Sequence, residues 1–112
     1  MLYPMIFPDN KAPIAKIIAP EREILGETVK FDASGSYDPD GNIVDYIWDF
    51  DDGKKSNYKI IPHRYEKIGT YDVKLTVIDN EGKIGEARKS VHIYHDPSKP
   101  LEQKKDLEIR IP

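Results

Sequence analysis

Thr70–Asp79 reads T-Y-D-V-K-L-T-V-I-D, and its apolar residues recur at every second position. Tyr71, Val73, Leu75 and Val77 fall on one side, and Asp72, Lys74 and Thr76 on the other. A period of two is that of a strand with one buried face, and it excludes a helix. Working outward, Asn42–Asp51 alternates in the same way, with Val44, Tyr46, Trp48 and Phe50 sharing one parity and Asp45 and Asp49 the other. Glu27–Ala33 places Val29 and Phe31 together, and Gly85–Tyr94 places Ala87, Val91 and Ile93 together. With Ile14–Ala19 and a shorter piece at Ile60–Tyr65, six or seven strands emerge. Turn signals separate them: Pro20, Gly26, the run S-G-S-Y-D-P-D-G-N, Asp52–Gly53, Pro62, Gly69 and Asn80–Glu81–Gly82. Such regular punctuation predicts an all-β sandwich or barrel.

Connections this short force mostly antiparallel pairing, because a parallel crossover needs a dozen or more residues. Two facing sheets then hide Phe31, Trp48, Phe50, Tyr71 and Leu75 together. The order Tyr71-Asp72-Val73 has the spacing of a tyrosine corner, with Val73 where an immunoglobulin domain carries its second core cysteine. Trp48, the single tryptophan, shares parity with Phe50 and is read as core rather than as a sugar-stacking surface.

The chain has 112 residues, which suits one domain. It contains no cysteine, so disulfides, thiolate zinc sites and thiol nucleophiles are excluded. No apolar run approaches the roughly 20 residues that cross a bilayer, and membrane insertion is not expected. Charge is unevenly spread. Seven aspartates lie between Phe31 and Gly53 with no Lys or Arg, so this stretch carries −7 of a net −3, and the rest carries −3 − (−7) = +4. Nucleic acid is not expected as a partner, because phosphate binding needs clustered basic residues. The acidic stretch attracts cations instead.

Three runs carry a family resemblance: F-D-A-S-G-S-Y-D-P-D-G at Phe31–Gly41, W-D-F-D-D-G at Trp48–Gly53, and H-R-Y-E-K-I-G-T-Y-D-V-K-L-T-V-I-D-N-E-G at His63–Gly82. Residues 12–94 resemble a polycystic-kidney-disease (PKD) domain. One departure is visible, since the signature reads W-D-F-G-D-G and Asp51 replaces its first glycine. The resemblance implies an all-β, immunoglobulin-like β-sandwich of two antiparallel sheets and about seven strands. It further implies a noncatalytic extracellular or cell-surface module, an interaction domain or spacer within a larger protein. The alternative is an accessory domain that binds a carbohydrate or protein polymer for a neighbouring hydrolase. Expected partners are the adjoining domains and such a ligand, and the module is expected to be a monomer. The domain is placed at residues 12–95, between an N-terminal flank at 1–11 and a C-terminal tail at 96–112. Both flanks are rich in proline, and each holds a further piece, the apolar Met1–Phe7 and the alternating Leu107–Ile111.

Asp38-Pro39-Asp40-Gly41 carries the sharpest chemistry. Two carboxylates flanking a proline can point at one spot, and Ca²⁺ takes six to eight oxygen ligands. In PKD-like domains of some secreted collagenases, the resemblance implies a calcium held by this D-x-D-G turn, an Asp closing the later strand, and an Asn with the following carbonyl at the domain's entrance. Those positions are Asp38, Asp40, Asp79, Asn10 and the carbonyl of Lys11. The same four-residue run is also an ordinary metal-free tight turn, in which Asp bonds its own backbone and Pro and Gly preset the dihedrals. Both readings stand at the level of sequence. The run is no EF-hand, because its glycine falls at the fourth position and a strand follows.

The other polar residues favour structure over chemistry. Asp49, Asp51 and Asp52 sit where a strand enters a hairpin and are read as turn acids, one of them holding a backbone amide, rather than as a catalytic pair. His63 is assigned a structural hydrogen bond. His92 and His95 stand an odd interval apart and so face opposite sides of an extended strand. Ser34 and Ser36 lack a G-x-S-x-G elbow, and Gly82 and Gly85 lack a phosphate-loop context, so no enzymatic activity is expected.

Overall fold

A computed structural model describes residues 10–100, and the pieces read at Met1–Phe7 and Leu107–Ile111 lie outside them. Seven strands follow in order: β1 (Arg22–Ile24), β2 (Thr28–Asp32), β3 (Ile43–Asp49), β4 (Lys55–Ser56), β5 (Ile60–Arg64), β6 (Gly69–Asp79) and β7 (Ile84–Tyr94). One sheet has the order β1-β7-β6-β3-β4 and the other pairs β2 with β5. All pairings are antiparallel except that of β1 with β7, which sets Arg22 beside His92 and Ile24 beside Tyr94.

The sheets close over Val29, Phe31, Trp48, Phe50, Tyr65, Val73, Leu75, Val77, Val91 and Ile93, all buried. Phe31 sits at the centre of this layer, its ring centroid 5.4 Å from that of Trp48 and 5.2 Å from that of Phe50. The indole N–H of Trp48 donates to the Tyr58 carbonyl at 2.8 Å, so the one polar atom of the ring is satisfied. Trp48 is therefore core, as its parity requires. Tyr71 lies partly buried at the edge of the cluster, and its hydroxyl donates to the Lys67 carbonyl at 2.7 Å, closing the tyrosine corner.

Four elements depart from the sequence reading. Val44 shares parity with Trp48, yet it is 57 % exposed. The register of β3 against β6 shifts between Ile43 and Asp45, and a bulge reverses the inward side. Ile14–Ala19 forms no ladder but two isolated bridges, Ile14 to Tyr37 and Ile18 to Asp32. The short strands β1 and β4 carry no periodic signal at three and two residues. The N-terminal segment crosses β7 closely, for a Cβ at Gly85 would overlap the Pro13 carbonyl.

Candidate metal centre at the domain entrance

The Asp38–Gly41 turn joins β2 to β3 and lies against the β6–β7 hairpin. Asp79 ends β6, paired with Ile43, and is 1 % exposed. Its Oδ1 accepts the amides of Glu81 at 2.9 Å and Lys83 at 2.8 Å, an arrangement that builds the hairpin. Its Oδ2 is buried and has no hydrogen-bond partner, and the same holds for both carboxylate oxygens of Asp38. A buried carboxylate oxygen without a donor is costly, and a cation bound here would offset that cost. Burial raises the Asp38 pKa above the ordinary carboxylate value, and the Asp79 charge raises it further. The backbone N–H of Asp40 lies close enough to lower it and offsets only part of this.

Gly41 is required by the same crowding. A Cβ there would stand 2.5 Å from Asn80 Oδ1 and 2.8 Å from Asp38 Oδ2. Asn80 Oδ1 in turn accepts the Asn42 amide at 2.9 Å, while the Asn80 amide donates to the Asn42 carbonyl, also at 2.9 Å. Gly41 was legible as the last residue of the D-x-D-G turn, whereas Asn80 is a part of the site that residue types alone did not mark, and the turn signal Asn80-Glu81-Gly82 was its only trace in the sequence.

The remaining expected ligands take other partners. Asp40 Oδ2 accepts the Lys11 amide at 2.8 Å, and the Asn10 carbonyl accepts the Lys83 ammonium at 2.8 Å. Asn10 and Lys11 are therefore fastened to the turn and the hairpin that bear the two unsatisfied carboxylates. Among the described residues no three acidic or histidine side chains form a ready metal cluster. The donors that fit a cation are the Asp38 and Asp79 oxygens, with the entrance segment beside them.

Each aspartate of the other acidic cluster accepts a backbone amide. Asp49 Oδ1 accepts the Asp51 amide at 3.1 Å and Asp52 Oδ1 accepts the Lys54 amide at 3.1 Å. Asp52 Oδ2 pairs with His63 Nε2 at 2.7 Å, and the imidazole stacks on Phe50 with centroids 3.9 Å apart. Asp51 adopts φ 66°, the left-handed conformation that the missing glycine would supply, and its Oδ2 accepts the Asp72 amide at 2.9 Å. Thr70 Oγ1 bonds His92, and the Lys99 carbonyl bonds His95. Ser36 Oγ bonds the Lys16 backbone, and among the described residues the histidine hydrogen bonds go to Asp52, Thr70 and Lys99 rather than to a serine.

Two packed, mostly antiparallel sheets and a tyrosine corner, with acidic bends at Asp38–Gly41 and Asp79 on one end and at Asp49–Asp52 on the other, define an immunoglobulin-like sandwich module. The PKD domain profile matches residues 10–96, and the chain belongs to the PKD domain family. It is 45 % identical over 93 residues to Collagenase ColA of Clostridium perfringens, a match that covers 83 % of this chain and 8 % of that protein. The chain thus spans under a tenth of that relative's length. Among solved structures, the PKD1 domain of Vibrio anguillarum Epp superposes with a TM-score of 0.70 at 30 % identity, covering 79 % of this chain and all of that one. A chain solved in work on the promiscuous specificity of carbohydrate-binding modules of the β-sandwich superfamily superposes with a TM-score of 0.75 at 38 % identity, over 79 % of this chain and 36 % of that one.

Proposed function

We propose that the chain is a noncatalytic extracellular PKD module that spaces two neighbouring parts of a larger protein, with Ca²⁺ stiffening its entrance. One observation carries this reading: the chain enters and leaves at opposite ends of the sandwich. Asn10 is held by Lys83, immediately before β7, and the chain departs after Tyr94, where β7 ends. A strand of this length rises about 3.3 Å per residue, so entry and exit stand roughly 33 Å apart. The calcium reading rests on the unsatisfied oxygens. Asp38 and Asp79 would hold the ion, with Asp40, Asn10 and the Lys11 carbonyl beside it in the entrance segment. The ion would neutralise two carboxylates that otherwise repel, and so lock entrance to body.

Thermal melting with Ca²⁺ and with a chelator tests this. Asp38→Asn removes one of the repelling charges, and Asp79→Asn keeps the Oδ1 that binds two amides. In chelator each variant is expected to melt at or above the wild-type temperature. In excess Ca²⁺ the wild type is expected to rise by several degrees while the variants stay in place. A wild-type melt that ignores Ca²⁺ removes the ion from the proposal and leaves the spacer.

The second reading, a polymer-binding accessory domain, is favoured by the likeness to the chain from the carbohydrate-binding work. The outward residues of β6 and β7, Asp72, Lys74 and Thr76 with Glu86, Arg88, Ser90 and His92, offer no flat aromatic platform against it. Retention on chitin, cellulose or collagen separates the two, because a spacer is retained on none.

A further inference from the structure

The five-stranded sheet ends on one side at β7 and the short β1, and β1 covers only His92–Tyr94. Among the described residues no strand pairs with the remaining edge of β7, from Ile84 to Val91. Which groups this edge displays follows from the bonds at its ends. The His92 amide donates to the Glu21 carbonyl and the Tyr94 carbonyl accepts the Leu25 amide, both on the β1 side, whereas the Lys83 carbonyl accepts the Asp79 amide on the β6 side. Bonding direction alternates along a strand, so Glu86, Arg88 and Ser90 turn their N–H and C=O groups toward the open side. Such a row is a template for another strand.

The row is also self-complementary. An antiparallel copy related by a twofold axis through Arg88 would set Glu86 against Ser90 of the second chain and continue the sheet. Arg88 would face Arg88 in that pair, but each is already hydrogen-bonded to Asp72 at 2.8 Å.

One residue on this edge breaks the pattern of its strand. The core-facing row of β7 is Gly85, Ala87, Lys89, Val91 and Ile93, and Lys89 stands directly opposite Val73, which is fully buried. An apolar side chain would bury more surface there. Lys89 instead lines an open cleft of about 350 Å³ with Glu21, Arg22, Ser90 and His92, at the point where β1 ceases to cover β7. Lys89 is half-buried and borders the open edge, so a second strand that closed over the edge would desolvate its charge.

We propose that the open edge of β7 is a pairing surface for a second copy of this chain and that Lys89 keeps it unpaired. Sedimentation velocity of the whole chain tests this, with folding checked by circular dichroism. Wild type is expected to sediment as a monomer. Lys89→Val, and independently Lys89→Thr, is expected to double the mass or exceed that without lowering the melting temperature. Lys74→Val makes the same change on β6, an interior strand paired on both sides, and is expected to remain monomeric. Adding Ser90→Pro to Lys89→Val removes an edge N–H and none of the bonds to β6, and is expected to restore the monomer. Folded, monomeric Lys89→Val and Lys89→Thr would overturn the proposal and leave Lys89 as a stem that merely covers Val73. A wild type that already pairs through this edge would overturn it too.

Discussion

Asp51 does two things at once: it takes a left-handed conformation and it holds a backbone amide. The turn after β3 needs a left-handed residue, which costs an ordinary side chain about 1–2 kcal/mol. Asp51 recovers part of that by holding the Asp72 amide at 2.9 Å, a bond worth about 1 kcal/mol. The two effects nearly cancel, so Asp51→Gly is expected to leave stability within about 1 kcal/mol of wild type. Asp51→Ala keeps the strain and loses the bond, and should fall below both by about 1–2 kcal/mol in urea unfolding. Equal stability of Ala and Asp would show that the carboxylate contributes nothing to the turn. The aspartate's presence was legible in the sequence as a departure from the signature, but its partner was not. Asp72 lies 21 residues away, and only the folded hairpins bring them together.

At the scale of elements, periodicity located the strands with long half-buried runs, β3, β6 and β7, because burial of one face writes itself into every second residue. It failed where something other than burial sets the conformation. The bulge at Ile43–Asp45 turned Val44 outward, and β1 and β4 are too short to show a period. Lys89 gives no signal for a related reason, since one charge in an apolar row is uninformative unless the row lies at an edge. The candidate site was legible as residue types, Asp38, Asp40 and Asp79, but burial and the lack of donors separate Asp38 and Asp79 from Asp40, and neither is visible in a sequence. The turn between β5 and β6 was clearer, and two tyrosines clasp it. The Tyr65 hydroxyl, buried, donates to the Phe50 carbonyl at 2.9 Å, and that of Tyr71 donates to the Lys67 carbonyl. Burial pushes both phenols above their ordinary value of 10.0, Tyr65 far above it, and the nearby Asp52 adds to this. The folded state therefore keeps protons that the unfolded chain releases. Stability is expected to be flat up to about pH 9 and to fall as pH rises through 10 and beyond. Absorbance titration should show the Tyr65 and Tyr71 phenols ionising only as the protein unfolds. A Tyr65→Phe variant should lose less stability over that interval, and an unchanged alkaline profile would assign the loss elsewhere.

For the whole molecule, the spacer reading makes a demand on length that the strands themselves set. Lys11 and Asp40 tie the entrance to one end of the sandwich, and β7 carries the chain the full length of its sheet before release. The distance between neighbours is then fixed by eleven residues of strand rather than by any linker. Absence of cysteine allows it to be measured cleanly, with spin labels on Ala12→Cys and Asp96→Cys and no native thiol to compete. The expected separation is roughly 33 Å plus the label arms, as a single narrow distribution. Calcium, if it locks the entrance, is expected to narrow that distribution and leave its mean in place, because Asn10 and Lys11 are already bonded to the body by Lys83 and Asp40. A mean that moves by many ångströms with the ion would make the module a hinge. A broad distribution in both conditions would mean that the two hydrogen bonds at the entrance do not hold, and the fixed spacing would be lost with them.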